Sequence, residues 1–465
     1  MSQIVPQIKP PLDPAFRPSV LVRRAFRNRL GDDGVPLVIG LERQHGRLSR
    51  FETRVFPPAH PHANQNWPYV ERLVDFLLWK HGAHTLYIGG PREIAARLTS
   101  AYAPGGSRAR DVRFMEHIYE QPFRLVSVST EEVPPANEHG AAPGHQLNGC
   151  RVGFDLGASD RKACAVLDGQ VIYSEEVIWE PRSQSDPAYH RREILAAIRS
   201  AAAKLPRLDA VGGSAAGIYI DNQPRYASIF RSIPPQHRPE VQNLFRHISD
   251  ELGVPLQIVN DGDTAALAGA ISLHDNGVLG LAMGSSLAAG YVDTRGQIPD
   301  WLNELASAPV DEAPHTPADE LLGRRGTGSQ YLSQQCVFRL AKRAGLHLPQ
   351  EAPPAERLAF AQQQLAAGHP GALAIWQTMG IYLGYSLAHY ADFYEIKHVL
   401  LLGRCTSGQG GQVILTTAQH VLTREFSSLA ERIHIHLPDE TTRRLGQAIA
   451  AASLPSLDPE SPASE

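Results

Sequence analysis

The chain has 465 residues, of which 43% are hydrophobic and 20% charged, and its formal net charge is −4. This length exceeds one ordinary hydrophobic core, so we expect two or three domains of a water-soluble protein. The slightly acidic balance argues against a general nucleic-acid-binding protein, and no apolar run reaches the length of a membrane span.

The four cysteines stand far apart and form no CxxC pair: Cys150, Cys164, Cys336 and Cys405. This spacing is typical of reduced thiols rather than of a disulfide framework or a zinc site. The N-terminal stretch also lacks the apolar run of a signal peptide. Together these features predict a cytoplasmic protein.

The first part of the chain predicts an arm, a small domain and a linker. Residues 1–33 are rich in proline and arginine and predict an irregular arm, and we interpret its arginine cluster as a solvated helix face. Residues 34–130 predict an independently packed α/β domain, with a hairpin joined across HGR and a helix in WPYVERLVDFLLWKHG that Gly82 caps. Residues 131–149 combine proline, glycine and small polar residues without periodicity, which predicts a linker.

The remaining residues predict a larger α/β region over 150–453, followed by a disordered tail over 454–465. Adjacent strands come first, and strands alternating with helices follow. This order favours mixed sheets flanked by helices.

The stretch GFDLGASDRK predicts a buried strand, a tight turn and a second strand, and its turn carries polar residues. Backbone N–H groups at Gly157, the Ser159 hydroxyl and the Lys162 ammonium are suited to binding a phosphate. The Asp155 carboxylate is suited to holding a hydrated Mg²⁺. The alternative is an ordinary hairpin that carries polar side chains.

Three further stretches follow in a fixed order: VNDGDTAALAGA, LAMGSSLAAGYVD and HVLLLGRCTSGQGG. With the first hairpin, this order resembles the ROK family (repressors, open reading frames and sugar kinases) of the actin-like ATPase superfamily. The resemblance spans about residues 150–453 and does not cover the first 149. It implies a duplicated actin-like, ribonuclease H-like α/β fold and an ATP- and Mg²⁺-dependent sugar kinase.

The resemblance also implies roles for individual residues. Asp261 would be the catalytic base, although an aspartate there could instead cap the following helix, a role that Asp263 could take from it. The implied sugar ligands are Asn260, Asp263 and Glu304. The implied ATP-binding residues are Asp155, Gly157, Ser159, Lys162, Gly284, Ser285 and Gly403, with Asp155 also holding Mg²⁺ through water.

The sequence departs from the family pattern at several positions. Ala158, Ser286 and Ala288 replace glycines of the two phosphate loops, and a side chain there hinders close approach of the backbone to phosphate. Ser307 stands where the family has a histidine that binds sugar and zinc, and the family's cysteine cluster is missing. We therefore expect no structural zinc.

These observations leave two main functional hypotheses. The first is an active kinase for a sugar or sugar-like substrate. The second is a degenerate relative that binds a sugar or nucleotide as a sensor or scaffold without turnover. A repressor is disfavoured, because residues 34–130 show no helix pair typical of a helix-turn-helix. We expect no nucleic-acid or membrane partner, and a homodimer is a further expectation from the resemblance.

Overall fold

Three sheets of four or five strands organise the chain in the computed structural model. It describes residues 6–138, 140–141, 146–319, 323–438 and 440–457, with the backbone alone at 140–141 and 440–445. The first sheet belongs to the N-terminal unit, and the other two are the centres of two α/β lobes. Mixed sheets flanked by helices, as the sequence predicts, are therefore confirmed.

The N-terminal sheet has the strand order β2-β1-β3-β4. The first two strands form the predicted antiparallel hairpin, and the last two pair in parallel. Helix α2 ends at the predicted C-cap Gly82, whose N–H donates to the Leu78 carbonyl over 2.8 Å. The elements of this unit are α1 (Ser19–Leu30), β1 (Val35–Glu42), β2 (Leu48–Val55), α2 (Asn66–His81), β3 (Thr85–Gly89), α3 (Arg92–Tyr102), α4 (Ala109–Tyr119) and β4 (Arg124–Val128).

The irregular arm predicted over residues 1–33 contains a helix, α1. Val20, Phe26 and Leu30 are buried on one side of this helix, and the buried Arg23 forms an ion pair with Asp392. The proline-rich composition concealed this amphipathic spacing. The prediction of an irregular arm is therefore wrong for the segment that α1 occupies.

The N-terminal unit does not pack independently, because its apolar side chains belong to the same hydrophobic core as those of the C-terminal lobe. Phe76 of α2, for example, stacks on Phe393 with ring centroids 4.3 Å apart. The predicted linker and tail lie partly outside the described residues. Within the described parts, Val133 and Leu454 are buried, so the chain packs against the rest of the protein at both positions.

The first lobe contains the five-stranded sheet, with the order β12-β9-β6-β7-β8. Strands β6 and β7 form the hairpin that GFDLGASDRK predicts, and β9 and β12 extend the sheet in parallel. The elements of this lobe, with a two-residue strand before it, are β5 (Gly140–Ala141), β6 (Cys150–Leu156), β7 (Asp160–Leu167), β8 (Gln170–Ile178), α5 (Pro187–Ala202), β9 (Ala210–Ala215), β10 (Ile218–Ile220), β11 (Gln223–Tyr226), α6 (Arg238–Gln242), α7 (Leu244–Leu252) and β12 (Leu256–Asn260).

The second lobe contains the four-stranded sheet, with the order β14-β13-β16-β17. Its first helix, α8, packs against β13 and β14, and the last helix, α14, returns to pack on α8 and on β6 and β9 of the first lobe. The elements are α8 (Asp261–Leu273), β13 (Val278–Met283), β14 (Leu287–Val292), β15 (Ile298–Pro299), α9 (Gln334–Ala341), α10 (Pro354–Ala366), α11 (Pro370–Tyr390), β16 (His398–Leu402), α12 (Gln409–Glu425), α13 (Ser427–Ala430), β17 (His434–His436) and α14 (Glu440–Ala452).

Candidate functional site

Asp261 lies at the junction of the two lobes, where β12 ends and α8 begins. Asn260 caps this helix: its Oδ1 accepts from the Gly262 N–H over 2.7 Å, and its Nδ2 donates to the Gly217 carbonyl over 2.6 Å. The alternative in which Asp261 or Asp263 is the cap residue is therefore wrong, although Asp261 Oδ1 also accepts from the Gly262 N–H, over 3.0 Å. Because Asn260 takes that role, both carboxylates lie in the first helical turn, where the helix dipole favours negative charge.

Four of the predicted site residues form one group of carboxyl groups that act on each other electrostatically: Asp155, Asp261, Asp263 and Glu304. Burial raises the pKa of Asp261 to about 6, with a contribution from Asp155. Burial and the Asp261 charge raise the pKa of Glu304 to about 7. The pKa of Asp263 rises to about 8, chiefly through burial. The structure therefore brings together residues that the sequence separates widely.

Tyr219, which we did not predict, adds a hydroxyl to this group. Its oxygen is buried and has no hydrogen-bond partner among the described residues. Burial, Asp261 and Asp155 raise the pKa of Tyr219, so the phenol is neutral and can donate a hydrogen bond. The sequence offered no signal for this residue, because AVGGSAAGIYI has the composition of one strand, whereas it contains β9 and β10 of different sheets.

The C-terminus of α2 holds the segment that carries Glu304. The N–H groups of Leu302, Asn303 and Glu304 donate to the last carbonyls of the helix over 3.2, 2.8 and 3.0 Å. These acceptors are the carbonyls of His81, Lys80 and Trp79. The N-terminal unit thus supports a residue of the candidate site, which local sequence patterns could not reveal.

Side chains reinforce this junction. The Lys80 ammonium lies 3.4 Å from the centroid of the Trp301 ring, and the Tyr394 hydroxyl donates to Asn303 Oδ1 over 3.0 Å. Asn303 has a left-handed backbone with φ of 50°, which asparagine tolerates better than most residues. Glu304 is therefore positioned by the residues that precede it.

In the first predicted phosphate loop, the charge of Lys162 is neutralised by two aspartates of the same hairpin. Lys162 Nζ lies 3.8 Å from Asp155 Oδ2 and 3.2 Å from Asp160 Oδ1. The Ser159 hydroxyl also donates to Asp160, over 3.0 Å. Asp160 was missed as a site residue, although it lies within the stretch that we singled out.

The second predicted loop joins β13 to β14 and lies beside Gly403. A Cβ at Gly403 would lie 2.6 Å from the Met283 carbonyl group, so the glycine there permits close approach of the two chain segments. Ser285 and Ser286 are exposed. A Cβ at Gly284 would meet only the Ser286 carbonyl, at 3.8 Å, which leaves this part of the backbone open to a ligand. Within the described residues, no hydrogen bond or ion pair joins this loop to the first one.

The described residues contain no group of three or more His, Cys, Asp and Glu side chains arranged to hold a metal ion. Mg²⁺ does not require such a group, because it commonly keeps several waters and binds one or two carboxylates together with phosphate oxygens. Asp155, a buried carboxylate at the end of β6, is compatible with that mode. Across the part of the chain that the structure describes, no helix is long and apolar enough to span a membrane.

The two lobes, which meet at this group of four carboxyl side chains, have the actin-like ATPase fold. More particularly, the chain has the fold of ROK-family proteins. It resembles the ROK hexokinase from Thermus thermophilus with a TM-score of 0.52 and 18% identity, covering 66% of this chain and 97% of that one. A ROK-family transcriptional regulator, a homologue of the E. coli MLC protein, also gives a TM-score of 0.52 and 18% identity, covering 66% of this chain and 79% of the regulator.

No protein-family model matches the sequence, and no curated protein matches it. Because a hexokinase and a regulator share the fold equally well, the fold alone does not choose between them. The expectation that residues 34–130 lack a helix pair is wrong, because α3 and α4 are consecutive helices and the sequence did not indicate α4. Helix α4 packs toward β11, with Phe114 against Tyr226 at a centroid distance of 5.8 Å.

Proposed function

We propose that the protein is an ATP-dependent kinase that phosphorylates a hydroxyl group of a sugar or sugar-like substrate. The observation that carries this proposal is the Asp261 carboxylate, placed among Asp155, Asp263 and Glu304 with a pKa raised to about 6. A base whose pKa lies near neutrality combines a useful ionised fraction with a real affinity for a proton. The fold shared with a hexokinase is compatible with this choice, which depends on the site rather than on the fold.

The chemistry is a displacement at the γ-phosphorus of ATP. The sugar oxygen forms a new bond to this phosphorus while the bond to the β–γ bridging oxygen breaks, and ADP leaves with that electron pair. The hydroxyl proton passes to the Asp261 carboxylate. Glu304 and Asp263 would orient the sugar by hydrogen bonds, as would the second amide N–H of Asn260, since the first donates to the Gly217 carbonyl.

The nucleotide would bind across the two loops. Gly157, Ser159 and Lys162 would face the phosphates from one side, and Gly284, Ser285 and Gly403 from the other. Asp155 would hold a hydrated Mg²⁺, which neutralises phosphate charge when bound. A structural zinc is not part of this proposal, and elemental analysis of the purified protein tests that expectation.

A second candidate function is a sensor or scaffold that binds a sugar or nucleotide without turnover. The ion pairs of Lys162 with Asp155 and Asp160 favour it, because a lysine held in this way is less available to phosphate. Gly290, a glycine of β14, favours it as well. A Cβ at Gly290 would lie 2.1 Å from the Gly262 carbonyl group, so packing of β14 on α8 explains this glycine without a ligand.

Replacing the proposed base tests the first function. Asp261→Asn keeps the shape of the side chain but removes proton acceptance, so sugar-dependent ATP turnover should fall roughly 100-fold or more. Sugar binding measured by calorimetry should change much less. The exposed aspartate variant Asp250→Asn serves as the matched control and should leave turnover unchanged.

The substrate panel should include hexoses, amino sugars and cyclitols. Full turnover by Asp261→Asn would show that the base is misassigned. If the unaltered protein binds one of these compounds but turns over ATP with none, the sensor function replaces the kinase.

A further inference from the structure

A cavity of about 200 Å³ lies where α1, α2 and α11 meet, and none of its lining residues belongs to the candidate functional site. Aromatic rings form much of its wall. Phe26 and Tyr69 stack with centroids 3.9 Å apart, and Phe76 stacks on Phe393 at 4.3 Å. Walls of this kind favour a flat aromatic ligand, because rings pack well in offset and edge-on arrangements.

The cavity carries an excess of positive charge at its edge. Two of its arginines are neutralised: Arg23 forms an ion pair with Asp392, and Arg72 lies 3.5 Å from Glu312. Two others, Arg17 and Arg29, have no carboxylate within ion-pairing distance among the described residues. Arg29 donates to the neutral Gln65 over 2.6 Å. Glu312 also acts on Arg17 electrostatically, but the four arginines outnumber Glu312 and Asp392, so an anionic group on a ligand would find an excess of positive charge here.

His389 lines the interior of the same cavity and is only 4% exposed. Within the described part of the chain, neither of its ring nitrogens has a hydrogen-bond partner. Burial, together with Arg23 and Arg72, holds the pKa of His389 well below its usual value, so the ring is neutral, with one donor and one acceptor. Unsatisfied buried polar groups are rare and unfavourable, and a polar atom of a ligand would satisfy this one.

We propose that this cavity binds a small aromatic anion. Its ring would lie among the aromatic side chains, its carboxylate or phosphate would meet Arg17 and Arg29, and a hydroxyl on the far side of the ring would hydrogen-bond to His389. The site is independent of the proposed kinase function. It is built largely from α1 and α2 of the N-terminal unit, which lies outside the family resemblance in the sequence.

Three related probes test the three elements of this proposal in the full-length protein. 4-Hydroxybenzoate has the ring, the carboxylate and the opposite hydroxyl, benzoate lacks the hydroxyl, and phenol lacks the carboxylate. Calorimetry or ligand-observed NMR should rank their affinities in that order. The variant Arg17→Ala/Arg29→Ala should bind 4-hydroxybenzoate roughly tenfold more weakly or worse, because charge-assisted hydrogen bonds are lost, while its affinity for phenol stays within about twofold.

Two further variants complete the test. Arg27→Ala removes an exposed arginine of the same helix that does not line the cavity, and it should bind all three probes as the unaltered protein does. Ala25→Trp fills the cavity from α1 and should abolish binding of all three. The proposal is overturned if the folded, unaltered protein binds none of the probes at millimolar concentration. It is also overturned if either the double arginine variant or Ala25→Trp binds 4-hydroxybenzoate normally.

Discussion

Three carboxyl groups of the candidate site hold protons at pH values where ordinary carboxyl groups have lost them. The pKa is about 6 for Asp261, about 7 for Glu304 and about 8 for Asp263, against ordinary values near 4. A carboxyl group whose pKa is raised by folding binds its proton more tightly in the folded state. Its contribution therefore lowers the free energy of unfolding as the pH rises from about 4 through the folded pKa.

Asp263→Asn should reveal this effect, because the amide is neutral at every pH and nearly the same size. The variant should gain stability relative to the unaltered protein as the pH rises from 5 to 8, by up to about 1.4 kcal/mol per pH unit. Urea unfolding at several pH values measures the difference. The control variant Asp32→Asn, which replaces an exposed aspartate, should show no gain of stability as the pH rises. A pH-independent difference for Asp263→Asn would contradict the raised pKa.

The sequence predicted the grouping of Asp155, Asp261, Asp263 and Glu304 better than it predicted their surroundings. The group could be proposed because the resemblance supplied an order of motifs. The pairing of Lys162 with Asp160 could not, since a side chain's choice between a ligand and a neighbour depends on rotamers and local charge. The roles proposed for the individual residues remain predictions.

At the scale of elements, α2 connects two distinct features of the molecule. Its middle lines the cavity with Tyr69 and Phe76, and its C-terminus holds the segment that carries Glu304. The sequence predicted this helix and its cap because apolar periodicity and a C-cap glycine are local signals. It could not predict what the last carbonyls bind, because their partners lie far along the chain.

Gly82→Ala should disturb this junction. Gly82 has a φ of 74°, and a Cβ there would lie 1.8 Å from the Tyr119 hydroxyl oxygen. Gly105 offers a matched control, with a φ of 84° and nothing within 4 Å of a Cβ. Both variants carry backbone strain, but only Gly82→Ala adds a clash, so it should be less stable than Gly105→Ala by at least about 1 kcal/mol. If thermal or urea unfolding shows the same loss of stability for both variants, the junction accommodates the added Cβ without cost.

On the scale of the whole molecule, one hydrophobic core joins the N-terminal unit to the C-terminal lobe. The sequence suggested separate domains because composition changes sharply near residues 131–149. Composition indicates where a chain is exposed or irregular, but it does not indicate which segments, far apart in the sequence, pack into one core. The hexokinase of the same fold is covered over 97% of its length by 66% of this chain, so the fold there is complete without an additional unit of this size.

A fragment beginning at residue 150 should therefore fold poorly, even though it contains every predicted kinase motif. Removing the N-terminal unit exposes the apolar surface of α11, including Tyr390 and its neighbours. We expect the fragment to unfold without cooperativity and to bind an apolar dye, as loosely packed proteins do. The full chain is the control, with circular dichroism and dye fluorescence as the measurements. A fragment that unfolds cooperatively, with an intact near-ultraviolet spectrum, would disprove the structural role of the shared core.

The return of α14 to the first lobe and the packing of α1 on α11 also have a consequence for synthesis on the ribosome. Helix α1 must wait for α11, a partner that is synthesised much later. The first-lobe sheet likewise lacks part of its cover until α14 emerges. Chains that expose apolar surface for most of their synthesis are prone to aggregation and depend on chaperones. The first lobe therefore cannot complete its packing until α14 has emerged, long after its own strands have been synthesised.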